Sequence, residues 1–103
     1  MEERFLKEIK SFLDEDGMVT GVPAKRKRQL IALCYIAEKL PEGELGNEKE
    51  VNALLNSCHT FGDPAWIRRE FVEFGILKRD PYGRRYETAA DAADKIAAIL
   101  AEL

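Results

Sequence analysis

Cysteine is scarce in this chain: Cys34 and Cys58 are its two thiols among 103 residues. A small fold stapled by disulfides needs more, so both are read as reduced thiols. Histidine occurs once, as His59, and serine only at positions 11 and 57. Neither serine sits in a nucleophile motif, and no glycine-rich phosphate loop follows a strand. Cys58-His59 has no cluster of further ligands, and a tetrahedral zinc site needs about four. The run Asp14-Glu15-Asp16-Gly17 lacks the spacing of a calcium loop. The expectation is a non-enzymatic protein with no metal and no cofactor. No apolar run approaches the roughly 20 residues of a membrane-spanning helix. The start, MEERFLKEIK, has no uninterrupted apolar stretch, so it does not read as an export signal. A cytoplasmic protein with no membrane partner is expected.

What the chain does have is a strong alternation of charge. The total is −3, with a pI near 5.2. Residues 1–21 carry −3, 22–40 carry +4, 41–63 carry −4, 64–86 carry +3 and 87–103 carry −3. A protein that coats nucleic acid indiscriminately is usually basic throughout, so that role is disfavoured. If folding unites the two basic segments, an acidic protein gains one positive face.

Length and composition predict one domain over residues 1–103 with a modest core. Hydrophobic residues make up 46%, too many for a disordered chain. Phe5, Ile9, Phe12 and Leu13 give a helical stripe in a segment over 1–16, with Gly17 as its stop. Met18 to Val22 reads as extended. Pro23 suits the first turn of a second helix, with Leu30, Leu33, Cys34, Ala37 and Leu40 inward. Asn47 and Glu50 form a capping box for a third helix bearing Val51, Leu54 and Leu55. Asp63-Pro64 opens a fourth, with Ile67, Phe71 and Phe74 inward and Gly75 as its end. Residues 76–79 and 84–87 flank Asp80-Pro81-Tyr82-Gly83 as a hairpin. Thr88 with Asp91 is expected to cap an alanine-rich helix over 88–103, striped by Ala92, Ile96, Ile99, Leu100 and Leu103. The reading is a mainly α, α+β fold: about five helices with one small β-hairpin, laid out like a winged helix-turn-helix. In that layout the fourth helix is the recognition helix and the hairpin is the wing.

Several segments in this order resemble a known family. They are Val22-Pro23-Ala24-Lys25-Arg26-Lys27-Arg28, Glu50-Val51-Asn52, Ile67-Arg68-Arg69-Glu70-Phe71, and Gly75-Ile76-Leu77-Lys78-Arg79 with Gly83 before Tyr86. The chain resembles the bacterial domain-of-unknown-function family 2087, with residues 22–87 as the family core. Members are often labelled transcriptional regulators, and the resemblance implies no catalytic residue. Gly46-Asn47 departs from it, standing where a Thr is common.

Two sets of cations are the candidate nucleic-acid contacts. Lys25, Arg26, Lys27 and Arg28 crowd a helix start, where free N–H groups already favour an anion. Arg68 and Arg69 lie off the apolar face of the fourth helix, and Lys78, Arg79, Arg84 and Arg85 flank the hairpin turn. Each set has a plainer reading. The first is equally a solvated basic turn balanced by Asp14, Glu15 and Asp16. In the second, Glu70 and Glu73 offset the arginines, and ion pairs within the chain would satisfy them. Trp66 is a candidate partner anchor, or a core-edge side chain. The expected function is a DNA-binding or regulator-associated module on duplex DNA, in which Arg68→Ala and Arg84→Ala both weaken binding. A homodimer through the last helix is the expected assembly, with packing against the first helix of its own chain as the other reading of that helix. The alternative function is a protein- or ligand-interaction module of the same shape.

Overall fold

A computed structural model describes all residues from Met1 to Leu103. Five helices and three short strands share one core. In chain order they are α1 (Glu3–Ile9), α2 (Arg26–Ala37), β1 (Glu44–Gly46), α3 (Glu48–Asn56), α4 (Pro64–Glu73), β2 (Leu77–Arg79), β3 (Tyr86–Thr88) and α5 (Ala92–Ala101). The fold is α+β. The sheet is antiparallel, with β3 between β1 and β2.

Helix starts follow local chemistry where the signal is strong. Asn47 accepts from the Glu50 N–H at 2.9 Å, and Glu50 accepts from the Asn47 N–H at 3.2 Å. This is the reciprocal capping box that the sequence predicts. Gly46 precedes it at φ +105°, and a Cβ there would lie 2.6 Å from the Glu50 carboxyl carbon. Only glycine leaves room for that carboxylate to fold back. Asp63 caps α4 by accepting from the Trp66 N–H at 3.0 Å, with Pro64 in the first turn.

Four expectations need correction. The second helix begins at Arg26, with Lys25 as an extended N-cap, rather than at Pro23. Pro23 is buried and its carbonyl accepts from the Gln29 amide at 2.8 Å, which holds the approach to the helix outside helical geometry. The first helix ends at Ile9 and tightens into a 3₁₀ turn over Lys10–Phe12, so Leu13 lies in extended chain bridged to Val19. Thr88 is no cap: it is the last residue of β3, and its hydroxyl donates to the Pro41 carbonyl at 2.7 Å. Asp91 holds the N-cap position of α5 without a capping hydrogen bond. Finally, β1 makes the sheet three-stranded, where a lone hairpin is expected.

The core gathers Phe5 and Ile9 from α1, Ile31 to Ala37 from α2, Val51 and Leu55 from α3, and Ile67 and Phe71 from α4. Leu77 and Tyr86 close it from the sheet, and Ala92 and Ile96 dock α5. α5 packs on α2. No helix is long and apolar enough to cross a membrane.

Candidate nucleic-acid interface

The four cations at the start of α2 fall at the N-cap and the first three helical positions. Four positive charges at the positive end of a helix dipole repel it, by about 0.3–1 kcal/mol per charge if unscreened. Neighbouring helices offset two of them. Arg26 Nη2 lies 2.6 Å from Glu70 Oε2 on α4, and Lys27 Nζ lies 2.9 Å from Glu8 Oε2 on α1. The Lys27 hydrogen bond, aided by the fields of Lys27, Arg28 and Lys25, holds the Glu8 carboxyl below the usual carboxylate range. Lys25 and Arg28 are exposed and face no carboxylate partner. The acids that balance this turn are therefore Glu8 and Glu70, not the expected Asp14 to Asp16.

On α4 the two adjacent arginines diverge. Arg68 turns toward α3: one guanidinium nitrogen lies 2.7 Å from Glu48 Oε1, and another donates to Asn52 Oδ1. Its side chain is only 12% exposed. Arg68 is thus engaged in stapling α4 to α3, with little of its side chain left to solvent. Arg69 is exposed, and Glu73 one turn on is exposed as well. With Glu70 held by Arg26, the outer side of α4 carries little net charge.

The hairpin is different. Lys78, Arg79, Arg84 and Arg85 are all exposed. Arg85 pairs with Glu44 across β1, while Lys78, Arg79 and Arg84 form no ion pair. Lys78 stands opposite Glu87 in the β2–β3 register, and Arg79 opposite Tyr86. The turn is closed by hydrogen bonds. The Gly83 N–H donates to the Asp80 carbonyl at 2.9 Å, and the Arg84 N–H donates to Asp80 Oδ1 at 2.7 Å. Backbone N–H groups, that of Arg84 foremost, hold the Asp80 carboxyl below its ordinary value. At the tip Tyr82 is 80% exposed, and the Arg84 guanidinium lies 5.6 Å from its ring centroid.

The ten candidate cations thus divide into those engaged by carboxylates and those that are not. Arg26, Lys27, Arg68 and Arg85 are paired with carboxylates. Of the six without such a partner, three lie on the hairpin. A family model described as an uncharacterized protein conserved in bacteria, DUF2087, matches residues 18–88, more than half of the chain. The chain belongs to the DUF2087 family. The match ends with β3, so α1 and α5 flank the DUF2087 region rather than belong to it. No curated protein and no solved structure matches the chain.

Trp66 is half-buried at the core edge. Its ring meets Phe61 edge-on at 6.1 Å, and Phe61 lies 4.3 Å from the imidazole of His59. His59, which the sequence presents only as half of an incomplete metal pair, has a structural role. It is buried, its Nδ1 donates to the Leu55 carbonyl at 2.7 Å, and its Nε2 accepts from the Asp63 N–H at 3.1 Å. Those partners fix the neutral Nδ1–H tautomer and join the end of α3 to the start of α4. The four-residue spacing on either side was its only signal. Cys34 is buried in α2, and burial, with Glu38 adding a like charge, pushes its thiol up to about 12. No cluster of three or more His, Cys, Asp or Glu side chains could hold a metal ion.

A second feature lies apart from the cations. An open groove of about 800 Å³ runs between the end of α2, residues 42–43, the sheet edge and α5. Ala37, Leu40, Ala93, Ile96, Ala97 and Leu100 give it an apolar floor, with Glu38, Glu42 and Glu87 on its rim.

Proposed function

We propose that this DUF2087 chain is a non-catalytic, winged-helix-type module of a cytoplasmic transcriptional regulator that binds duplex DNA chiefly through its β2–β3 hairpin. The observation that carries this reading is the trio Lys78, Arg79 and Arg84, exposed on either side of a turn held by Asp80, with Arg79 and Arg84 free of ion pairs and Lys78 facing Glu87 only across the strand register. The element order supports it. A helix, a strand, two helices and an antiparallel hairpin in this order are what a winged helix would have, which supports reading α4 as recognition helix and β2–β3 as wing.

The division of labour is unequal. Cations that touch phosphates supply sequence-independent affinity, and base edges supply specificity. The hairpin has free cations for the first task. The outer side of α4 offers Arg69 against Glu73, a weak set for the second. DNA binding is then modest and sequence-tolerant unless a second copy adds its hairpin. α5 leaves Ala93, Ala97 and Ala101 exposed at four-residue spacing, which suits close approach of a partner α5 in a homodimer.

The test is a titration of a labelled short duplex at low salt. The Arg79→Ala/Arg84→Ala pair weakens binding, whereas Arg68→Ala changes stability and leaves affinity per folded molecule unaltered. Equal affinity of wild type and the hairpin pair refutes the reading.

The apolar groove beside α5 favours a second reading, a protein- or ligand-interaction module. Its prediction is the converse: Ala97→Trp blocks partner capture, and the hairpin substitutions do not.

A further inference from the structure

Tyr82 is the most exposed of the large hydrophobic side chains. Its neighbours on β2 and β3, Leu77 and Tyr86, are buried in the core, while Tyr82 stays 80% exposed beyond the end of the sheet. A large aromatic ring gains nothing from standing in water, so a solvent-facing tip is a poor place for one on folding grounds alone.

The tip that carries it is ordered rather than loose. Pro81 before it fixes one backbone angle. Gly83 after it takes φ +68°, which an L-residue adopts with strain. The Asp80 N–H donates to the Arg85 carbonyl at 3.0 Å, and the Gly83 and Arg84 N–H groups donate back to Asp80. Tyrosine has few rotatable bonds, so fixing it against a ligand costs little conformational entropy. The ring is thus presented nearly ready to stack.

Cations surround it. The Arg84 guanidinium sits 5.6 Å from the ring centroid, a cation–π distance that leaves most of the ring surface open. A Cβ added at Gly83 would lie 3.7 Å from Arg79 Cδ, so the stem of Arg79 runs beside the same tip. An aromatic surface bordered by unpaired arginines matches one chemical object, a base with its flanking phosphates.

We propose that Tyr82 is a stacking platform for an unpaired nucleobase, with Arg79 and Arg84 holding the adjacent phosphates. The inference rests on the reading that the hairpin faces nucleic acid, and it adds which part of the nucleic acid the tip takes. A base inside a duplex keeps both faces covered by its neighbours. Tyr82 therefore adds affinity where a base is unpaired, while the hairpin cations still serve the phosphates of a duplex. The pentose is not contacted in this arrangement, so oligo(dT) and oligo(rU) compete for the same site.

Fluorescence anisotropy with labelled oligo(dT), oligo(rU) and a short duplex tests this on the full chain at low salt. Because Tyr82 is exposed, its variants keep the fold, which a thermal melt checks. Tyr82→Ala weakens single-strand binding roughly 5- to 100-fold, the range for losing one base–aromatic stack. Tyr82→Phe keeps the wild-type affinity, and Tyr82→Leu, apolar but without a π face, does not. The duplex arm is much less affected. An unchanged single-strand affinity for Tyr82→Ala overturns the stacking inference. If the duplex still binds and Arg79→Ala/Arg84→Ala still weakens it, the wider DNA-binding reading survives that loss. Absence of binding in all three arms overturns both. Tighter binding of only one of the two single strands overturns the claim that the pentose is not read.

Discussion

Arg68 and Glu48 are joined across two helices, guanidinium nitrogen to carboxylate oxygen at 2.7 Å, with Asn52 accepting from the same guanidinium. The pair decides how the fourth helix is read. Two consecutive arginines there look like a DNA-contacting face, yet one of them locks α4 onto the first turns of α3. Planar guanidinium geometry suits this double contact, which a lysine cannot reproduce.

Arg68→Ala is therefore a stability variant. It removes a charge-assisted contact between a mostly buried guanidinium and an exposed carboxylate, and leaves Asn52 and Glu48 without their partner. We expect a loss of about 1–3 kcal/mol in urea unfolding, with Arg68→Lys recovering only part of it. A variant as stable as wild type would contradict the staple.

The hinge between α3 and α4 rests on His59. Replacing it by alanine removes the acceptor for the Asp63 N–H and the donor to the Leu55 carbonyl, and opens a cavity in the core. The expected cost is about 2–4 kcal/mol. Asp63→Ala, which removes only the cap of α4, costs about 1 kcal/mol. Equal losses for the two would show that the imidazole does no more than the cap.

Cys34 gives the chain an alkaline limb. Its thiol is held up to about 12, so the folded state favours the neutral form. The resulting stability is complete below the ordinary thiol value of 9.0 and declines as pH rises from there toward about 12. Urea unfolding across this range falls more steeply for wild type than for Cys34→Ala. In a Cys58→Ser background at neutral pH, Cys34 reacts with a thiol reagent only as fast as the protein opens. Rapid stoichiometric labelling would contradict its burial.

Asp80 governs the order of the hairpin tip. Asp80→Ala removes the acceptor for the Arg84 N–H, and we expect weaker nucleic-acid binding with little change in melting temperature, because the turn lies outside the core. Since N–H donors hold this carboxyl below its ordinary 3.8, its contribution is present above that pH and fades as pH falls through the lower folded-state value.

Much of the scaffold was legible because its signals are local. Asn47 with Glu50, and Asp63 with Pro64, state their helix starts within four residues, and Ile67 with Phe71 states the buried face of α4. The strand Glu44–Gly46 was not legible. Leu45 is its only residue with strand character, and its pairing with β3 is made by chain some forty residues away. The site was half legible for the same reason. Sequence shows where cations are but not which carboxylates reach them: Arg26 meets Glu70 and Arg85 meets Glu44 only after folding. Tyr82 reads as a turn residue until the turn is seen to leave its ring in solvent.

The salt dependence of duplex binding decides whether the hairpin cations meet phosphates. Each phosphate contact contributes a slope of about −0.9 in a plot of log affinity against log salt. Changing Lys78, Arg79 and Arg84 together to alanine makes the slope shallower by about 2 to 3, while Arg68→Ala leaves it unchanged. A slope that the triple substitution does not alter would show that the hairpin is not where this protein meets DNA.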